Sequence, residues 1–292
     1  MTRAASTLLL LLTMLVPLVS CSSGVIADFE EEVDKGKTSK TIKFRISPYE
    51  TGKFRSAATD AFSQLSFVLF PIDSETSHIE VTQAEGDENF GTVSADIPFG
   101  NYELVIVGHN CADAATVVSP DSIAFPQGKI TDTFCHYQTL EVSKETTSTL
   151  NIELKRCVAK FEVAATDAIP EWIAQMHVVA EGGGVVLNAK TGLAAKDAVQ
   201  DKRLDIPASF IGKTGKYFST YTFLPSEEAI MAFTLNAIDA EGNTRLAHEF
   251  TDAPMTVNEI TRYTGELFST SIYTNGNITA DTEWTATNEF TF

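Results

Sequence analysis

The chain has 292 residues, 43% of them hydrophobic, and a formal net charge of −18. That apolar share excludes a disordered chain, and 21 basic against 39 acidic residues excludes a nucleic-acid binder, which needs positive charge to displace counterions. Four cysteines are too few for a disulfide-dense scaffold, and length over about 150 makes two domains the starting expectation.

Residues 1–20 read as an address rather than as part of the fold. Arg3 precedes an apolar run, Leu8 to Leu12, Met14 to Val16 and Leu18 to Val19, which is short for a bilayer span and fits a secretory signal. The run ends in Leu18-Val19-Ser20-Cys21, which resembles the lipobox of bacterial lipoproteins. The resemblance implies cleavage between Ser20 and Cys21 and lipid on the Cys21 thiol and its new amino group. Two kinds of acyl anchor hold where one chain is marginal. Asp28, Glu30, Glu31 and Glu32 follow, a solvated tether that is also similar to the acidic signal exporting lipoproteins to the outer cell surface in Bacteroidales. Residues 21–40 read as this tether.

The body reads as strands. Ser66 to Phe70 stops at Pro71. Tyr102 to Val107 is apolar on both faces apart from Glu103, which predicts a central strand after the Pro98-Phe99-Gly100-Asn101 turn. Leu140 and Val142, a polar turn over 143–147, then Leu150, Ile152 and Leu154 predict a hairpin. Later strands are expected over 216–224, 229–238, 244–250 and 260–268, with a turn at Asp239–Asn243. Asn275-Gly276 is the strongest two-residue hairpin signal. Short helices are expected only over 57–64 and 170–176.

The domain boundary is argued from phase. Leu150, Ile152 and Leu154 place the apolar face on even positions, whereas Cys157, Ala159, Phe161 and Val163 place it on odd ones. A one-residue shift flips every side chain to the other face. The chain therefore bulges near Arg156 or leaves one core for another. The second reading predicts an all-β protein of two antiparallel sandwich domains, residues 41–156 and 157–292.

A search for chemistry returns structural readings. Gly212-Lys213-Thr214 lacks the glycine a phosphate loop needs five positions earlier, where Pro207 stands. His109, Cys111, Cys135 and His136 match no strong zinc spacing. Cys111 and Cys135 are candidates for a disulfide or for unpaired thiols, and Cys157 reads as a buried small hydrophobe. No Ser-His-Asp neighbourhood is visible. Neither catalytic residues, metal nor cofactor is expected, and the chain is read as a non-enzyme. The last stretch, Thr282 to Phe292, alternates over its whole length, with Trp284, Ala286, Phe290 and Phe292 on one face. It is a closing strand of its own sandwich or a donor strand that completes a partner's open sheet.

Three segments carry a family likeness. Leu154 to Val163 (LKRCVAKFEV), Gly100 to Val105 (GNYELV) and Val257 to Phe268 (VNEITRYTGELF) are similar, in order, to strand segments of fimbrillin-like lipoproteins. With the lipobox, the chain resembles the FimB/Mfa-type fimbrial subunits of Bacteroidales. The resemblance implies two transthyretin-like sandwiches in a type V pilus, pilin subunits as partners and attachment to the outer membrane through lipid on Cys21. It also implies that some members lose an N-terminal strand by cleavage after an arginine. Arg55, beside Ser56-Ala57-Ala58-Thr59, is the better candidate, because Arg45 lies inside the alternating Ile42-Phe44-Ile46 run. The competing reading is a surface lipoprotein that holds glycan on exposed aromatics, for which only Trp172 and Trp284 are available as tryptophans.

Overall fold

The computed structural model describes residues 38–48, 61–72, 77–269, 275–279 and 286–291. Alternation shapes the first half. Strand β1 (Ser39–Pro48) buries Ile42, Phe44 and Ile46 and leaves Lys43 and Arg45 exposed, a period of two over its length. It is followed by β2 (Gln64–Pro71), β3 (Ile79–Ala84), β4 (Thr92–Pro98), β5 (Gly100–His109), β6 (Thr116–Ser119), β7 (Ser122–Ala124), β8 (Thr133–Val142) and β9 (Thr149–Arg156).

Seven of these form one sheet in the order β3-β2-β5-β8-β9-β1-β4. The sheet folds over at β8 and β9, which pair only at Phe134–Arg156 and Cys135–Lys155. The expected hairpin is therefore corrected: Leu140 and Val142 pair with β5, while Leu150 and Ile152 pair with β1. Both strands carry an apolar face, and splaying them buries both faces in one core between two layers. Phe44 and Phe67 meet across that core with ring centroids 4.8 Å apart. Strand β5 is the expected central strand. Leu104 and Ile106 face this core, and Val105 and Val107 face another.

The second half holds β10 (Ala159–Ala165), β11 (Ile173–Glu181), β12 (Val186–Asn188), β13 (Leu193–Ala194), β14 (Gln200–Asp205) and β15 (Lys216–Thr222). Then come β16 (Glu228–Asp239), β17 (Thr244–Thr256), β18 (Glu259–Gly265), β19 (Asn275–Thr279) and β20 (Ala286–Thr291). A five-stranded sheet, β15-β10-β18-β20-β19, covers a four-stranded one, β14-β11-β16-β17. Phe161 and Phe233 stack between them at 3.8 Å, with Phe250 and Tyr263 packed against Phe161. The fold is thus all-β with sandwiched sheets.

Two local expectations change. Residues 170–176 form a turn and the start of β11, not a helix. Ile173, Met176, Val178 and Ala180 line the core from β11, and burial between two sheets overrides weak helical spacing. Asn275-Gly276 begins β19 rather than forming a two-residue turn. The Asp239 turn is as expected. Its carboxylate accepts from the backbone N–H groups of Glu241 and Asn243 at 3.1 and 2.8 Å, and these bonds hold its pKa below the usual carboxylate range.

A third core joins the halves. Val105, Val107, Ile123 and Phe125 from the first half meet Leu187, Phe223 and Ile260 from the second. A small sheet, β13-β12-β7-β6, closes it, with Leu187 paired to Ile123. The phase shift near Arg156 marks this place. Leu154 faces the first core, Cys157 and Val158 the third, and Phe161 the second.

Candidate functional site

Strand β1 occupies a slot with a partner on each side. It pairs antiparallel with β4, from Ser39–Pro98 to Arg45–Thr92, and parallel with β9, from Lys43–Thr149 to Pro48–Leu154. Ile42 and Phe44 are fully buried. Polar contacts fix the register. The Ser39 hydroxyl donates to the Asp96 carboxylate at 2.9 Å, and Lys40 Nζ donates to the Lys144 carbonyl at 2.7 Å. Arg45 is exposed on the strand itself, with its backbone tied into both ladders.

The other terminal strand is β20. It lies parallel to β18, from Glu259–Ala286 to Thr264–Thr291, and antiparallel to β19. Phe290 stacks on Tyr263 at 4.7 Å and packs against the second core. The opposite face carries charge. Arg262 donates to Glu162 and, at 2.8 Å, to Glu289, while Lys160 bonds the second oxygen of Glu162 at 2.6 Å. Burial works against the Arg262 charge, but the bonds to the two carboxylates outweigh it and raise its pKa above the ordinary value. The chain leaving β18 is pinned as well. The Asp167 carboxylate accepts three backbone N–H groups, from Leu267, Phe268 and Ser269, at 2.7–2.9 Å.

Of the expected site residues, Phe290 is placed on the buried face of β20, and Ala286 starts that strand. Ser20, Cys21, Asp28, Glu30, Glu31, Glu32, Arg55, Trp284 and Phe292 lie outside the described residues. Cys111 and Cys135 are both free thiols and are not brought together as the expected pair. The Cys111 thiol donates to the Lys129 carbonyl at 3.2 Å, whereas Cys135 faces the third core with Cys157. His109 and His136 do not join them as ligands. His109 is sealed in apolar surroundings, and His136 bonds the Glu153 carbonyl at 3.1 Å. Among the described residues no group of three or more His, Cys, Asp or Glu could hold a metal ion. Trp172 is half-buried, packs against the second core and has Arg245 5.8 Å from its ring.

Sequence reading missed the residues that tie the parts together. Arg156 makes a bidentate pair with Asp132 at 2.7 and 3.0 Å and also donates to Asn258 at 3.1 Å. Asn258 sits in the left-handed region at φ 62°, and its N–H donates to the Val158 carbonyl. A lone Arg at a phase break was the available signal. Nothing local marks Asp132, Asn258 or Asp167, whose partners are distant in sequence.

A family model matches residues 110–290 and is described as a family of unknown function (DUF6562). The chain belongs to this family. The matched region takes in most of the third core, without Val68, Val105 and Val107, and nearly all of the second half. No curated protein matches the chain. Among solved structures, a candidate adhesin from Bacteroides ovatus ATCC 8483 is 12% identical, with a TM-score of 0.50 over 80% of this chain and 87% of that one. The fimbrial anchor protein Mfa2 from Porphyromonas gingivalis is 10% identical, with a TM-score of 0.37 over 73% and 83%. The first likeness shows a shared fold.

Proposed function

We propose that the chain is a lipid-anchored surface subunit of a fimbria, serving as anchor or accessory subunit and joined to pilin subunits by strand complementation. The supporting observation is the place of β1. Strand β1 lies between β9 and the edge strand β4, and residues 49–63, Arg55 among them, connect it to β2. Loss of that strand leaves β4 and β9 each with an unpaired edge and a groove lined by apolar side chains, which an incoming strand of alternating pattern satisfies. The residue 282–292 tail has that pattern, although in this chain residues 286–291 are paired with β18 and β19 of its own sheet, and the fold shared with a candidate adhesin agrees with a surface role. In this reading residues 41–156 and 157–292 are two sandwich domains, Cys21 holds the chain in the outer membrane, and the acidic tether directs it outward.

Two changes in the native host test the proposal. Cys21→Ala is expected to release fibres into the medium. Deletion of Thr282–Phe292 is expected to lower the number of fibres joined to the cell. Immunogold counts on cells and medium read both. Fibres attached at normal number and length in both strains would show the proposal to be wrong.

A further inference from the structure

We infer that Cys135 and Cys157, free thiols in this structure, close on oxidation to form the protein's internal disulfide, a covalent staple at the point where the chain passes from one sandwich to the other. The two residues lie on one face of the β8–β9 ladder. Cys135 is opposite Lys155, and the Cys157 N–H donates to the Thr133 carbonyl one step beyond the last ladder pair. Both face the third core and are buried, at 7% and 3% exposure. A single point touches both: a Cβ placed on Gly192 would stand 3.9 Å from Cys157 Cβ and 4.0 Å from Cys135 Sγ. Diagonal neighbours stand about 7–8 Å apart, just beyond the Cα separation of up to about 7 Å that a disulfide spans, so closure requires a small backbone shift. Cys157 lies one residue past the end of β9, with its thiol on the Thr133 carbonyl at 3.4 Å, a weak bond that oxidation exchanges for the sulfur–sulfur bond. Cys111 is engaged elsewhere, with its thiol on the Lys129 carbonyl.

The chemistry is thiol–disulfide exchange. One cysteine thiolate attacks a small-molecule or protein disulfide, forms a mixed disulfide and releases one thiolate. The second cysteine attacks that mixed disulfide and releases the other. The two cysteines lose two electrons and two protons, and the exchange partner becomes two thiols. Burial, with the neighbouring Cys135 thiol next, pushes the Cys157 thiol well above its ordinary pKa. A protonated, water-excluded thiol is a poor nucleophile. Oxidation therefore belongs to assembly of the strands and not to the finished fold. The in-cell part of this inference rests on the exported reading of the chain, since an oxidising compartment keeps such a bond.

Two measurements separate the inference from that reading. The full mature chain is purified from its native envelope without reductant, unfolded in the presence of N-ethylmaleimide and mapped by peptide mass. In parallel, reduced chain is refolded with oxidised glutathione and mapped in the same way. Both are expected to give a Cys135–Cys157 peptide lighter by two hydrogens, with Cys111 alkylated. Cys111→Ala is expected to keep the bond, and Cys135→Ala to leave Cys157 alkylated. A bond in the refolded chain but not in the native one upholds the pair and counts against export. Alkylation of both residues in the two preparations, or a Cys111–Cys135 peptide, overturns the inference.

Discussion

His109 carries a titration that the rest of the core resists. It ends β5 with no exposed surface, and its ring meets Phe125 edge to face at 5.3 Å. The Cys111 N–H donates to Nδ1 at 3.1 Å, so the ring proton sits on Nε2, which has no partner among the described residues. A second proton would place a charge in this apolar setting, and burial holds the His109 pKa down to about 4. In the unfolded chain the group titrates near 6.5. Between those values the unfolded state binds more protons, so this residue's contribution to stability is whole above about pH 6.5 and is lost as pH falls toward 4. The loss amounts to about 3 kcal/mol. Urea unfolding at pH 7 and pH 4 of the wild type and of His109→Asn, which keeps an acceptor near Nδ1 but cannot titrate, measures it. The variant is expected to show the smaller drop by that difference. Equal drops would remove His109 as the cause.

At the scale of elements, strand β1 shows what alternation dictates. Ile42, Phe44 and Ile46 are legible from sequence as one face, and that face is buried. Phe44→Ala removes a ring packed 4.8 Å from Phe67 and is expected to cost about 3–5 kcal/mol, the range for large-to-small changes in a core. Arg45→Ala, one position along and exposed, is expected to stay within about 0.5 kcal/mol. Guanidinium denaturation of the two variants checks the contrast. A Phe44 cost no larger than that of Arg45 would mean that β1 is not packed as described. The same alternation was legible in the tail, while β2 and β5 were legible as apolar runs, β5 on both faces, because a strand between two cores has no polar side. Pairing was not legible. Residues 140–142 and 150–154 read as a hairpin, yet their ladders run to β5 and to β1, because partners are chosen by layers assembled from distant segments. Helical spacing over 170–176 misled for a related reason: a strand between two sheets buries whatever apolar residues it has. The left-handed Asn258 and the Asp167 cap had no local signature, since their partners lie about 100 positions away.

For the whole molecule the question is whether two sandwiches unfold as one body. The third core says that they do. Ile123 and Phe125 come from the first half, Leu187 and Phe223 from the second, and all four are buried together. Phe125 and Phe223 lie 5.4 Å apart, and β7 and β12 share a ladder. Charge closes the same seam. Lys190 bonds Glu103 at 2.9 Å, Tyr137 donates to the same Glu103 oxygen, and burial is outweighed by these bonds, which hold the Glu103 carboxyl below its usual range. Neither half can open without exposing apolar surface belonging to the other, so unfolding is expected to be a single cooperative transition. Both tryptophans lie in the second half, so their fluorescence follows that half while far-ultraviolet circular dichroism follows both. The two signals are expected to coincide in the wild type. Ile123→Ala leaves a cavity in the seam and is expected to cost about 2–5 kcal/mol there, with the outer two cores untouched. If the seam is what couples the halves, the two signals in this variant separate, with circular dichroism beginning its change before fluorescence or after it. Signals that separate already in the wild type would show the sandwiches to be independent. Signals that still coincide in Ile123→Ala would place the coupling in the Arg156–Asp132–Asn258 clamp instead of the apolar seam.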